Sequence, residues 1–72
     1  MEIQSKIGNR IKELREVKSI SQKNLAYDSD LDRSYIASVE SGKRNISIKN
    51  IEKIAIALGV SLKIFFENEL FE

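Results

Sequence analysis

Residues Ile20 to Glu40 read ISQKNLAYDSDLDRSYIASVE, and the reading of the whole chain turns on them. The stretch holds two helix-start signatures, Ile20-Ser21-Gln22-Lys23-Asn24-Leu25 and Leu31-Asp32-Arg33-Ser34-Tyr35-Ile36. In each, a Ser or Asp can accept from the free N–H groups of a first helical turn. The apolar residue before it is placed to staple against the apolar residue at the end of the signature. The spacing leads one short helix into another through a turn of about three or four residues, which is a helix-turn-helix.

The same signature recurs downstream. Ile46-Ser47-Ile48-Lys49-Asn50-Ile51 opens a fourth helix, with Ile51, Ile54, Ala55 and Leu58 inward and Gly59 ending it. Val60-Ser61-Leu62-Lys63-Ile64-Phe65 opens a fifth, expected to run to about Leu70. Upstream, Ile3, Ile7, Ile11 and Leu14 recur with the period of one helical face and predict a first helix from about Gln4 to Lys18. Lys6, Arg10, Lys12, Glu13 and Glu16 fill its remaining faces. The second helix should span Ser21 to near Asp28. The third should run from Asp32 to about Ser41, stopped by Gly42 in a left-handed cap. The expectation is all-α: one compact five-helix domain over residues 1–72, with helices 2 and 3 forming the helix-turn-helix. No linker or repeat interrupts it.

Composition narrows the chemistry. Seventy-two residues make one small domain at most. There is no Cys and no His, so disulfides, the common metal ligands and the usual general base are missing. Serines are frequent but have no evident activating partner, so neither an enzyme nor a cofactor or small-molecule substrate is expected. No apolar run has the length of a membrane span or the character of a signal peptide, which makes a cytoplasmic protein the expectation. The net charge is only +1, yet it is unevenly placed. Glu67, Glu69 and Glu72 lie beyond the last cation, so residues 1–63 hold all 12 basic side chains against 8 acidic ones. The body is mildly basic and the tail acidic, weak support for a nucleic-acid partner.

The third helix has an odd outer face. With Ile36 pointed at the core, Val39 and Glu40 share its side, while Ser34, Ala37, Ser38 and Ser41 lie opposite and Arg33 and Tyr35 flank them. Solvated faces usually carry long charged residues. Small ones leave room for close approach to another surface, and a second helix of this motif can enter the major groove. Serine hydroxyls can meet base edges, and Arg33 can fork onto guanine. Tyr35 either contacts a phosphate or a thymine methyl, or packs over the edge of the core. A surface helix that happens to lack charge would look the same. Beyond the helix, Lys43 and Arg44 project toward phosphates or an adjacent groove, or belong to a plain polar loop. Gln22 occupies the first turn of the second helix, where free N–H groups favour a phosphate.

The pattern Ser21-Gln22, Leu25-Ala26, Leu31, Ile36 and Val39-Glu40 resembles the phage-repressor-like helix-turn-helix family, five-helix domains that bind DNA as dimers. Within it, Leu31 to Ile36, Glu40, Arg44-Asn45-Ile46-Ser47-Ile48 and the ending Gly59-Val60-Ser61 with Phe65-Phe66-Glu67 resemble the controller proteins of restriction–modification systems. The resemblance covers essentially the whole chain. It implies that Arg33, Ser34, Tyr35 and Ser38 face bases, that Arg44 meets a base or groove edge, and that Gln22, Asn45 and Ser47 lie near the sugar-phosphate backbone. It implies a structural ion pair between Arg15 and Glu40. It also implies a regulator of a restriction–modification operon that includes its own gene, activating or repressing with occupancy and so working alongside RNA polymerase. The family usually has Gly where this chain has Ser19 and Asp30, so a left-handed backbone at a modest cost is expected there.

A core this small gains from association. Ile56 points away from the inner face of the fourth helix, and Ile64, Phe66 and Leu70 cannot all turn inward beside Phe65. These four residues are the expected homodimer interface, which would set two copies of the third helix on an inverted-repeat operator in double-stranded DNA. A terminal helix wrapped by its own domain would use the same residues. The competing function is a protein-binding module such as an antitoxin, whose fifth helix docks a different protein.

Overall fold

The computed structural model describes residues 1–72, which form α1 (Ile3–Val17), α2 (Gln22–Ser29), α3 (Arg33–Glu40), α4 (Ile48–Ala57) and α5 (Leu62–Phe66), followed by a single 3-10 turn at Glu69–Phe71. The chain is all-helical, and the helix-turn-helix is α2 and α3. Three of the helix starts carry the expected serine cap. Ser21 Oγ accepts from the Asn24 N–H at 3.0 Å, Ser47 Oγ from Asn50 at 3.1 Å, and Ser61 Oγ from Ile64 at 3.1 Å. Asp32 is the exception: it stands at the start of α3 with extended backbone, but its carboxylate makes no capping bond.

The helix ends are as regular as the starts. Ser19, Asp30, Gly42 and Gly59 all adopt the left-handed conformation, with φ of 56°, 58°, 76° and 74°. The residue after each donates its N–H back to a carbonyl in the last turn: Ile20 to Arg15, Leu31 to Ala26, Lys43 to Ser38 and Val60 to Ala55, at 2.9–3.1 Å. This closure satisfies carbonyls that a helix end would otherwise leave bare. Ile20, Leu31 and Val60 are therefore shared residues. Each closes one helix and is the apolar staple that opens the next.

The core draws Ile7, Ile11 and Leu14 from α1, Leu25 and Ala26 from α2, Ile36 and Val39 from α3, Ile51, Ile54 and Ala55 from α4, with Leu58 and Phe65. Ile3 departs from the predicted face and is 59% exposed. Arg10 departs the other way. Predicted to be on a solvated face, it is buried at 8% exposure and donates from Nε to the Phe65 carbonyl (2.7 Å) and from Nη2 to that of Ile64 (2.8 Å). Its Nη1 holds Glu13 Oε1 at 2.6 Å, and Asn68 Nδ2 reaches the same carboxylate oxygen at 3.2 Å. A helix of five residues thus has its last carbonyls tied to α1.

That short α5 corrects the expectation of a helix to Leu70. It stops at Phe66 because the Asn68 side chain, with its backbone extended, accepts from the Leu70 N–H at 2.9 Å and starts a new turn in place of the old one. The change of direction returns Phe71 to the core edge, where its ring lies 5.0 Å from that of Phe66 and 6.4 Å from that of Phe65. No helix is long and apolar enough to cross a membrane.

Gly8, buried in the middle of α1, permits a close backbone contact with α3. A Cβ there would collide with the Val39 carbonyl oxygen and come within 2.8 Å of the Glu40 carbonyl oxygen. Backbone cannot yield as a flexible side chain does. Gly8→Ala should therefore destabilise the fold by about 1–2 kcal/mol net, overpacking outweighing the gain in helix propensity. Ser19→Gly should stabilise it by about 1 kcal/mol by relieving the left-handed backbone. Urea denaturation of both variants checks the two signs, and an unchanged midpoint for Gly8→Ala would mean that α1 and α3 can move apart freely.

Candidate nucleic-acid interface

The height and tilt of α3 are set from its buried side. Ile36 and Val39 enter the core, and Glu40, 8% exposed, receives Arg15 in a two-pronged pair: Nε to Oε2 at 2.8 Å and Nη2 to Oε1 at 3.1 Å. Arg15 Nη1 also donates to the Ile20 carbonyl at 3.0 Å, where α1 passes into α2. Gln22 completes the network, its Nε2 donating to Glu40 Oε1 at 3.1 Å. One carboxylate therefore holds the end of α1, the first turn of α2 and the last turn of α3 together. The hydrogen bonds that Arg15 donates to the Glu40 carboxylate raise its pKa above the ordinary value, against the opposing effect of burial. A raised folded value makes this contribution to stability fully present below the unfolded value and lost only as pH climbs through the raised one. The pair is therefore intact in neutral and moderately alkaline solution.

With that side anchored, Arg33, Ser34, Ala37 and Ser41 stand exposed on the opposite face, and Ser38 is half-buried between them. The Ser41 hydroxyl turns back to the Ser38 carbonyl at 2.9 Å, so it contributes bulk to this face more than a free donor. Gln22 borders the face through a shallow recess that it shares with Lys12, Arg15, Ala37, Glu40 and Ser41. Lys12 adds a cation here that helical periodicity alone assigns to solvent.

A second cluster lies at the other flank. Tyr35 is half-buried, its phenol oxygen accepting from Asn50 Nδ2 at 3.0 Å, with the Arg44 guanidinium 5.0 Å from its ring centroid. Both sequence alternatives for Tyr35 thus have a physical basis: the ring packs against the core while its oxygen sits at the edge of the outer face. Lys43, Asn45 and Ser47 are exposed along the α3–α4 loop. Ser47 uses its hydroxyl oxygen as the α4 cap, and Asn45 borders an apolar cleft with Ile3, Gln4, Ile7, Ile46, Ile51 and Phe66. Arg33 and Ser34 are brought together with Ser38; Gln22 and Arg44 mark the two ends of the same region. Asn50 and Lys12 escaped sequence reasoning, since only the folded backbone brings them to this surface.

Away from the outer face of α3, Ile56 is 71% exposed, Ile64 45% and Phe66 39%, while Leu70 is half-buried in the 3-10 turn. These large apolar groups lie where α4, α5 and the terminal turn meet solvent.

A basic, charge-poor helix face presented by a tight helical turn defines a class of protein, and comparison with known proteins agrees. Residues 11–65 match the helix-turn-helix family model, and the chain belongs to that family. Its relatives within that family include control proteins and an immunity repressor of Bacillus phage phi105. Control protein C.MunI from Mycoplasma sp is 44% identical over 68 residues, which cover 93% of this chain and 92% of the relative. C.BamHI from Bacillus amyloliquefaciens is 49% identical over 57 residues, covering 78% and 70%. Among solved structures, the restriction-modification controller protein C.AhdI from Aeromonas hydrophila matches with a TM-score of 0.84 at 48% identity, covering 88% of this chain and 96% of that one. The controller protein C.Esp1396I, solved as a tetramer on its natural 35 base-pair operator, matches at 0.88 and 43% identity, covering 93% and 88%.

The Arg15–Glu40 pair can be tested apart from any ligand. Glu40→Ala should cost about 2–3 kcal/mol of stability, because it strands a largely buried guanidinium. Replacing both partners, Arg15→Met with Glu40→Leu, should cost less than the sum of the single changes. Chemical denaturation of the three variants measures this, and strict additivity would refute the coupling.

Proposed function

We propose that this chain is a sequence-specific DNA-binding transcriptional regulator that acts as a homodimer on an inverted-repeat operator and controls a restriction–modification operon, its own gene included. One observation carries the reading. The face of α3 opposite the core is built of small side chains and a free arginine, and a buried ion pair holds it outward. Identity above 40% to C.Esp1396I, solved on its operator, supports the same assignment.

In this reading α3 lies in the major groove. Arg33 forks onto a guanine, Ser34 and Ser38 contact base edges, Tyr35 meets a base or phosphate, and Arg44 enters the groove edge. Gln22, Lys43, Asn45 and Ser47 position the protein on the sugar-phosphate backbone. Ile56, Ile64, Phe66 and Leu70 form a two-fold interface that sets two recognition helices about one DNA turn apart. The Glu40 carboxylate orients Gln22 and leaves its second N–H for a phosphate and its amide oxygen for solvent. The protein works in the cytoplasm, carries out no catalysis of its own, and acts on transcription through where it sits relative to RNA polymerase.

Enrichment of random duplexes on the purified chain tests this directly. It should yield one sequence with two-fold symmetry, bound with an affinity that falls steeply with salt. Arg33→Ala should then weaken binding by about 1–3 kcal/mol and relax preference at a single base position in each half-site. A folded Arg33→Ala variant that binds the enriched duplex as well as wild type would remove α3 from the role assigned to it.

A further inference from the structure

The Tyr35 side chain is held from outside the helix-turn-helix. Its phenol oxygen lies 3.0 Å from Asn50 Nδ2, and Asn50 is the third residue of α4. That residue is itself fixed, because its backbone N–H is bonded to the Ser47 cap at 3.1 Å. From the loop before α4, the Arg44 guanidinium comes to within 5.0 Å of the same ring. Arg44 and Asn50 thus lie on either side of the cap that starts α4, and both close on one aromatic ring of α3.

Donor and acceptor counting gives the contact a direction. An amide nitrogen only donates, and a phenol has one proton and two lone pairs. With Asn50 as donor, the phenol spends a lone pair and keeps its own proton for an outside acceptor. Phosphate oxygens, guanine N7 and O6, and thymine O4 are such acceptors. The bond also restrains the ring to one rotamer, and so keeps the platform on which a cation can rest.

We propose that Asn50 is a positioning residue for DNA recognition: it presents the Tyr35 hydroxyl to the DNA as a donor and steadies the ring beneath Arg44. This rests on the reading of α3 as the recognition helix, and it extends the recognition apparatus into α4.

The test is a double-mutant cycle read by fluorescence anisotropy on the duplex enriched by the wild-type chain, with a scrambled duplex alongside and thermal melts of each variant. Asn50→Ala should weaken binding to the enriched duplex roughly fivefold, the loss expected of one hydrogen bond, with the loss confined to that duplex where the hydroxyl meets a base and shared by the scrambled duplex where it meets a phosphate. In a Tyr35→Phe background the same substitution should add less than about a twofold effect, because the oxygen it acts through is gone. Asn50→Asp keeps the size and the α4 cap but reverses the bond. A carboxylate accepts the phenol proton, so this variant should bind the enriched duplex at least as weakly as Asn50→Ala. Wild-type binding by a folded Asn50→Ala or Asn50→Asp variant would overturn the assignment, as would an equal loss with and without the Tyr35 hydroxyl. Failure of the wild-type chain to enrich any duplex would overturn the DNA reading itself, and this assignment with it.

Discussion

The contact between α1 and α3 governs the rest of the structure. At one end Gly8 lets the two backbones meet at the carbonyls of Val39 and Glu40. At the other, Arg15 reaches the Glu40 carboxylate with two hydrogen bonds. The first is a steric condition that only a missing side chain can meet. The second is an electrostatic one that fails if either partner is lost. Together they fix the distance and rotation of α3 about its own axis, and so decide which residues it shows to the outside.

Polar groups inside so small a fold need complete partnering, and they have it: no buried side-chain nitrogen or oxygen is left without a hydrogen bond. Arg10 and Arg15 divide this work along α1. Arg10 ties the C-terminal end of α5, and Arg15 ties the helix-turn-helix. Ile11 and Leu14, buried in the core, lie between them on α1. The same α1 therefore serves as the frame for both the proposed reading face and the apolar end that holds Ile64 and Phe66.

The sequence was legible wherever information is local. Each serine with its flanking apolar residues marks a helix start, and the capping residues of α2, α4 and α5 follow to the residue. The left-handed positions at Ser19 and Asp30 were readable from resemblance, although neither is Gly. Periodicity also separated the inner residues of α3 from the outer ones. Elsewhere the reading depended on contacts between residues far apart in the chain. Arg10 looks like any exposed arginine until the α5 carbonyls, more than fifty residues away, arrive above it. The end of α5 turns on whether the Asn68 side chain competes with the helix, and periodicity carries no term for that. Gly8 and Asn50 have the same character: a glycine within a helix and an asparagine in a first turn mean little until the surface opposite is known. The outer face of α3 was thus legible as a face, while the groups that hold Tyr35 were not.

The shared residues Ile20, Leu31 and Val60 have a kinetic consequence. Because each closes one helix and opens the next, neighbouring helices are joined by contacts only a few residues apart in sequence. Helices of eight or ten residues do not persist alone in water, so adjacent ones must form together. Short loop closures keep the contact order low, the condition for fast folding. The ties that span nearly the whole chain, from Arg10 to the Phe65 and Ile64 carbonyls and from Asn68 to Glu13, are also the ones that complete the apolar end. On a ribosome, the helix-turn-helix can gather before the surface proposed for a second copy exists, so nascent chains have little with which to pair prematurely.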